Sequence, residues 1–312
     1  MKQKSFYANG KLLLTAEYFI LDGAEALALP TKFGQSLDVL PSNDTNLIWR
    51  SYDADGTRWF EGIFDHTTYD LLDANDEEVG NKLSDILKKA SGNVPPQPVP
   101  IRREYLKGFG IETRLSFPRQ WGLGTSSTLI YMVATLFNVS PYALLAQTFG
   151  GSGYDLACAG AKKPILFNIK NEEPNWRECA FNPPFSENLY FIYLGKKQNS
   201  REGITRYREK TENLPPQYFS DFSNLTMAFF KEKNLINFEK LIIEHEEKVA
   251  AVIQLERAKN LYFEDYWGEI KSLGAWGGDF VLATSHKNDT LTNAYFEEKG
   301  FNTIVKYKDM IK

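Results

Sequence analysis

The chain has 312 residues, 43% of them hydrophobic and 14% aromatic, with a formal net charge of −4 and a pI near 5.6. That length suits two domains of ordinary size. The acidic balance argues against a general nucleic-acid binder, which needs a basic face, and no window of about 20 apolar residues is present to span a bilayer. Cys158 and Cys179 form no CxxC pattern and need not pair, which fits a reduced, intracellular setting. The N-terminus runs into strand-like residues without a signal-type apolar stretch, so the expected location is cytoplasmic. The basic pairs Arg102-Arg103, Lys162-Lys163 and Lys196-Lys197 read as solvated surface charges.

In chain order, residues 5–29 read as strand, short apolar segment and strand, broken by the turn signal Asp22-Gly23. Segments rich in apolar and aromatic residues predict further strands over 37–40, 47–52 and 58–64. Leu83, Ile86 and Leu87 give 79–90 helical spacing, and the proline-rich stretch 94–100 reads as a connector. A strand over 110–117 leads into the glycine-rich segment 118–128 and then an apolar helix. A second short helix starts near Ser140-Pro141, with proline at the favoured first position. The segment 150–161 is rich in glycine and alanine. Strands are expected over 164–169 and 189–194, separated by Asn182-Pro183-Pro184, a plausible domain boundary. Helices are expected after Ser200, over 218–231 and over 238–255. A glycine turn at 274–278, a strand (280–284), a helix (290–299) and a final strand (303–307) close the chain. Strands come early and helices late, which points to an α+β fold.

Four segments have the makings of a site. In Ala8-Asn9-Gly10-Lys11 and the following apolar run to Glu17-Tyr18, two charges lie in apolar surroundings and need partners or a polar cleft. In Gly122-Leu123-Gly124-Thr125-Ser126-Ser127-Thr128, glycines and hydroxyls precede an apolar helix. That order turns successive amides and the helix dipole toward one anion, although a capped glycine turn is the plainer reading of the segment alone. It lacks the Gly-Lys-Ser/Thr ending of a Walker loop. Gly150-Gly151-Ser152-Gly153-Tyr154-Asp155 places a carboxylate just after a flexible turn, where it can accept a proton or simply cap a helix. Gly274-Ala275-Trp276-Gly277-Gly278 allows a close backbone approach. His66, His245 and His286 sit in no triad spacing, and Glu244-His245-Glu246-Glu247 reads as a solvated helix face rather than a metal site.

Taken in order, these segments resemble the GHMP kinase superfamily (galacto-, homoserine, mevalonate and phosphomevalonate kinases). Gly10-Lys11 with Glu17-Tyr18 and Leu21-Asp22-Gly23 is similar to the first motif. Gly122 to Ser127 is similar to the phosphate loop, and Gly274–Gly278 to the third, glycine-rich motif. Gly151-Ser152-Gly153-Tyr154-Asp155, preceded by Ala146-Gln147, resembles the segment of phosphomevalonate kinases that carries the catalytic aspartate. Gly-Tyr-Asp-Leu-Ala also resembles the signature of a bacterial group of GHMP kinases. The sequence departs from pattern at several places: Ala16 stands where the first motif has glycine, Arg119-Gln120-Trp121 is bulkier than the small residues expected before the second loop, and Trp276 and Asp279 interrupt the third motif. Leu144 falls near the spacing of the metal-binding glutamate of mevalonate kinases.

The resemblance implies an N-terminal domain like ribosomal protein S5 domain 2 (residues 1–182) and a C-terminal ferredoxin-like domain (183–312), with ATP and acceptor in the cleft between. It further implies that Gly122, Leu123, Gly124, Thr125, Ser126 and Ser127 hold the ATP phosphates, with Ser126 as a Mg²⁺ ligand. Asp155 would orient or deprotonate the acceptor hydroxyl. Lys11 would stabilise the transferring phosphoryl group and depress the pKa of Asp155. Glu17 would face the acceptor or support the site, and Gly153, Ser200 and Gly277 would line the substrate. Lys196, Lys197 and Arg201 would receive an anionic acceptor. The implied partner is a small molecule, mevalonate- or phosphomevalonate-like, with no nucleic acid and no membrane; a homodimer is compatible with the sequence. A non-catalytic binding or regulatory protein and a diphosphomevalonate decarboxylase share the fold and stand as alternatives.

Overall fold

The computed structural model describes residues 3–92, 106–196, 200–211 and 214–312. The proline-rich connector, Arg102-Arg103 and Lys197 therefore lie outside the described residues, as do the side chains of Ser200 and Arg201. The strands are β1 (Lys4–Leu13), β2 (Ala26–Pro41), β3 (Leu47–Tyr52), β4 (Arg58–Phe64), β5 (Leu71–Ala74), β6 (Phe109–Leu115), β7 (Ile165–Lys170), β8 (Glu173–Glu178), β9 (Leu189–Tyr193), β10 (Ile270–Ser272), β11 (Phe280–Thr284) and β12 (Ile304–Lys306). The helices are α1 (Glu77–Gly92), α2 (Thr125–Phe137), α3 (Pro141–Thr148), α4 (Tyr154–Gly160), α5 (Ser200–Thr211), α6 (Gln217–Lys231), α7 (Leu235–Ile253), α8 (Ala258–Tyr262), α9 (Asp289–Glu298) and α10 (Tyr307–Met310). The fold is α+β, with one large mixed sheet and a second, small sheet.

The chain forms two compact units, each assembled from several segments. The first comprises residues 1–10, 33–119 and 123–160. In it β5, β4, β3, β6 and the second half of β2 lie side by side, antiparallel except for the parallel pair β3–β6. Alternation drives this: Leu47, Trp49 and Ser51 of β3 turn inward while Ile48, Arg50 and Tyr52 stay partly exposed. Helices α1 to α4 bury Leu83, Leu87, Ile130, Val133, Leu144 and Leu156 in one core with Trp49, Phe60 and Phe64 of the strands.

The second unit comprises residues 11–32, 120–122 and 161–312. There the start of β2 pairs with β7, which pairs with β8. The small sheet runs β10-β11-β9-β12, antiparallel throughout. Its core joins Tyr190, Ile192, Val281 and Ala283 to Phe263, Tyr266 and Phe296. Each unit holds one buried cysteine, Cys158 in the first and Cys179 in the second, and neither forms a disulfide. Burial pushes the Cys179 thiol up to about 11. Among the described residues no helix is long and apolar enough to cross a membrane.

Candidate functional site

The glycine-rich segment builds an open helix start. Gly122 and Gly124 both have left-handed backbone, with φ of 66° and 92°, and Gly124 is the N-cap of α2. Gly124 has no side chain to cap this helix, and among the described residues no side-chain cap is made at its start, where the positive end of the dipole lies. Leu123 is buried and anchors the loop, while Ser126 is exposed. Ser127 and Thr128 turn inward: the Ser127 hydroxyl donates to the Gly124 carbonyl at 2.9 Å, and the Thr128 hydroxyl donates to Gln35 Oε1 at 2.6 Å. Lys11, near the end of β1, donates its ammonium to the Gly122 carbonyl at 2.9 Å. A loop of this kind fits an oxyanion, and the Ser126 hydroxyl is a hard oxygen donor of the kind Mg²⁺ accepts.

In the first unit, Asp155 lies in the first turn of α4 and accepts from the Leu156 amide at 3.0 Å. The turn before it uses left-handed backbone at Gly150, Gly151 and Gly153. Gly153 is doubly constrained, because a β-carbon there would come within 2.9 Å of the Tyr142 ring. Asn9, buried in β1, holds the far end of the same helix: its amide donates to the Cys158 and Ala159 carbonyls, each at 3.3 Å. These are carbonyls of the last turn, which have no partner within the helix. Asn9 therefore fixes the short helix whose start carries Asp155. Asn9→Ala should cost about 1–3 kcal/mol in denaturant unfolding by stranding those buried carbonyls. A loss well below that range would show that the helix is held elsewhere.

In the second unit, Glu17 is fully enclosed. Its carboxylate pairs with the ammonium of Lys271 from β10, and its second oxygen lies 3.1 Å from Nε2 of His245 on α7. That nitrogen accepts from the Ala16 amide at 3.0 Å. Lys271 also faces Glu246 at 3.5 Å, and Glu246 accepts from the Ser272 hydroxyl at 3.0 Å. His245 and Glu246 are thus buried core residues, which corrects their reading as a solvated helix face. They fall on the stripe formed by Phe238, Ile242, Val249 and Val252, a spacing visible in the sequence. Glu17, His245 and Glu246 have metal-ligand chemistry and converge within 4.8 Å. The ammonium of Lys271 already supplies the cation there.

Burial opposes the charge on Glu17, but the Lys271 ammonium and its hydrogen bond outweigh it and hold the carboxyl below its usual range. Burial holds His245 below its ordinary value, so Lys271 is the countercharge. Burial raises Glu246 to about 7 against the pull of Lys271. Between pH 4.5 and 7 the folded chain keeps the Glu246 proton while the unfolded chain loses it, so this group lowers stability as pH rises through that window. Glu246→Gln should therefore leave the melting temperature at pH 5 nearly unchanged and raise it at pH 8. An equal effect at both pH values would contradict this assignment.

Three of the departures from the motifs share a backbone state, whereas Arg119, Gln120 and Trp121 do not. Ala16, Trp276 and Asp279 have φ of 62°, 20° and 53°, in the left-handed range where glycine is the usual occupant. Trp276 is buried and its ring N–H has no hydrogen-bond partner among the described residues. Gly277 is partly exposed with φ of 93°. Ser200 is the first residue of α5, and Lys196 is exposed in the segment leading to it.

No family model and no curated protein matches the chain in sequence. Solved structures match it over nearly its whole length. Mevalonate kinase of L. major in complex with R-mevalonate aligns over 97% of this chain and 94% of its own, at 15% identity and a TM-score of 0.65. Phosphomevalonate kinase of Streptococcus pneumoniae, in complex with phosphomevalonate and AMPPNP, aligns over 97% and 99%, at 15% identity and a TM-score of 0.67. Galactokinase of Lactococcus lactis complexed with galactose aligns over 98% and 93%, at 13% identity and a TM-score of 0.63. The chain therefore has the fold of the GHMP kinases. Within that class its structural neighbours include enzymes of the mevalonate and galactose kinase types, and the resemblance expected from the ordered motifs holds at the level of fold.

Proposed function

We propose that this protein is an ATP-dependent phosphotransferase that moves the γ-phosphoryl group to a hydroxyl or phosphate of a small metabolite, with a mevalonate- or phosphomevalonate-like acceptor as the first candidate. The observation that carries this reading is the uncapped start of α2, opened by left-handed Gly122 and Gly124 and flanked by an exposed Ser126 hydroxyl. The likeness to kinase structures supports it as a shared fold.

In this reading Gly122, Leu123, Gly124, Thr125, Ser126 and Ser127 bind the nucleotide phosphates through backbone amides, and Ser126 Oγ holds Mg²⁺. Bound Mg²⁺ neutralises charge on the phosphates. Asp155 takes the proton of the attacking hydroxyl or orients that hydroxyl, and Lys11 offers positive charge to the phosphoryl group in flight. Gly153, Gly277 and Ser200 line the acceptor. Glu17 supports the site from within, since its carboxylate is spent on Lys271 and His245.

The test is calorimetric binding of ATP, followed by an ADP-release screen of mevalonate, phosphomevalonate, homoserine and sugars. Binding together with acceptor-dependent ADP release supports the kinase. ATP binding without release from any acceptor favours a regulatory protein, and release coupled to CO₂ favours a decarboxylase. Failure to bind ATP sinks the proposal.

A further inference from the structure

We infer that Asp53 is a positioning residue for nucleotide binding: it fixes the chain where it enters the glycine loop, an inference that rests on the reading of residues 122–127 as the phosphate loop. Asp53, Arg119 and the α2 start with Leu123 and Gly124 all belong to the first unit. Asp53 follows β3 and is itself held by the turn to β4. Its N–H donates to the Thr57 carbonyl at 2.9 Å, and its carbonyl accepts from the Gly56 amide at 3.0 Å. From that turn its carboxylate takes Arg119 twice. Oδ1 accepts from the Arg119 amide at 3.3 Å, and Oδ2 accepts from Arg119 Nε at 3.2 Å. The guanidinium lies over the Trp59 ring of β4, 4.3 Å from its centre.

Main chain and side chain of one residue are thus gripped by the same hairpin. Arg119 opens a single turn of 3₁₀ helix, Arg119–Trp121, and Leu123 beyond it is fully buried. The grip and the buried leucine pin both ends of residues 120–122. A short segment pinned at both ends keeps few of the conformations open to a free one. The Asp53–Arg119 pair is partly open to solvent, with side chains 19% and 41% exposed, so its charge adds little to stability. Its effect is on direction. A loop ordered before the ligand arrives binds without a further loss of entropy. Arg119, bulkier than the residue expected at this place in the motif, is the handle by which the hairpin holds the loop.

The test compares the full-length wild type, Asp53→Ala and Asp53→Asn by hydrogen exchange without ligand and by calorimetric titration with AMPPNP and Mg²⁺. In Asp53→Ala, amides of residues 119–125 should exchange on the order of 10-fold faster while those of β3 and β4 stay unchanged, and AMPPNP affinity should fall on the order of 10-fold. Asparagine keeps an oxygen for the Arg119 amide and should recover most of both losses. Unaltered exchange at 119–125 overturns the inference. Faster exchange in β3 and β4 as well, the pattern of a hairpin merely loosened, also overturns it. An asparagine variant as weak as the alanine one overturns the hold on the Arg119 amide. Should Asp53→Ala fail to fold, Arg119→Ala, which leaves the hairpin turn intact, is held to the same exchange and affinity criteria. A wild type that binds no AMPPNP overturns the phosphate-loop reading itself. Wild-type binding with unaltered affinity in Asp53→Ala overturns only the role of Asp53.

Discussion

Asp155→Asn is expected to lower turnover by about two to four orders of magnitude on the acceptor that the ADP-release screen identifies. The physical basis is the proposed division of labour: phosphoryl transfer asks a protein for positioning and charge, and Asp155 is the group assigned to the attacking hydroxyl. Folding should hardly change. Asparagine keeps an oxygen for the Leu156 amide, and a carboxylate in the first turn of a helix contributes only about 0.3–1 kcal/mol through the dipole. Steady-state kinetics beside a thermal melt separates the two effects. Full turnover in Asp155→Asn would remove Asp155 from the chemistry. A melt that collapses along with activity would make its role structural.

Lys271→Met should be the most destabilising single change, because it leaves the Glu17 carboxylate buried without its countercharge. Breaking a buried pair from one side costs about 3–5 kcal/mol, measurable in urea unfolding. The double variant Lys271→Met/Glu17→Gln removes the stranded charge and should recover a large part of that loss. If Lys271→Met alone costs less than about 1 kcal/mol, the cluster of Glu17, His245, Glu246 and Lys271 is solvated and the ion pair is not what ties β10 to Glu17.

The local sequence carried β3, β4 and β11 to their observed limits, since each alternates or is β-rich and is bounded by turn residues. It also carried α2 and the Ser140 cap of α3, whose hydroxyl accepts from the Ala143 amide. It reached α4 only through the reading of Asp155 as a helix-capping residue, because seven residues after three glycines have no room for a helical period to show. It missed β8, whose residues are almost all exposed; an outer strand needs no apolar face. The order of the motifs made the phosphate loop and Asp155 legible as candidates. The quartet was not legible, since Glu17 meets Lys271 across 254 positions of sequence and nothing local pairs them. Asn9 was hidden for the same reason, its carbonyl partners lying 149 and 150 positions away. Ala16, Trp276 and Asp279 read as departures from pattern, whereas their left-handed backbone explains why glycine is the usual residue there.

The two buried cysteines have a practical consequence. A thiol shielded from solvent, and in Cys179 held protonated far above neutral pH, is a poor nucleophile in the native chain and an ordinary one once exposed. Alkylation by a small reagent therefore times the opening of the structure around each sulfur. Because Cys158 and Cys179 sit in different units, mass spectrometry of the two tryptic thiols reads the loosening of each unit separately, with no label engineered into the protein.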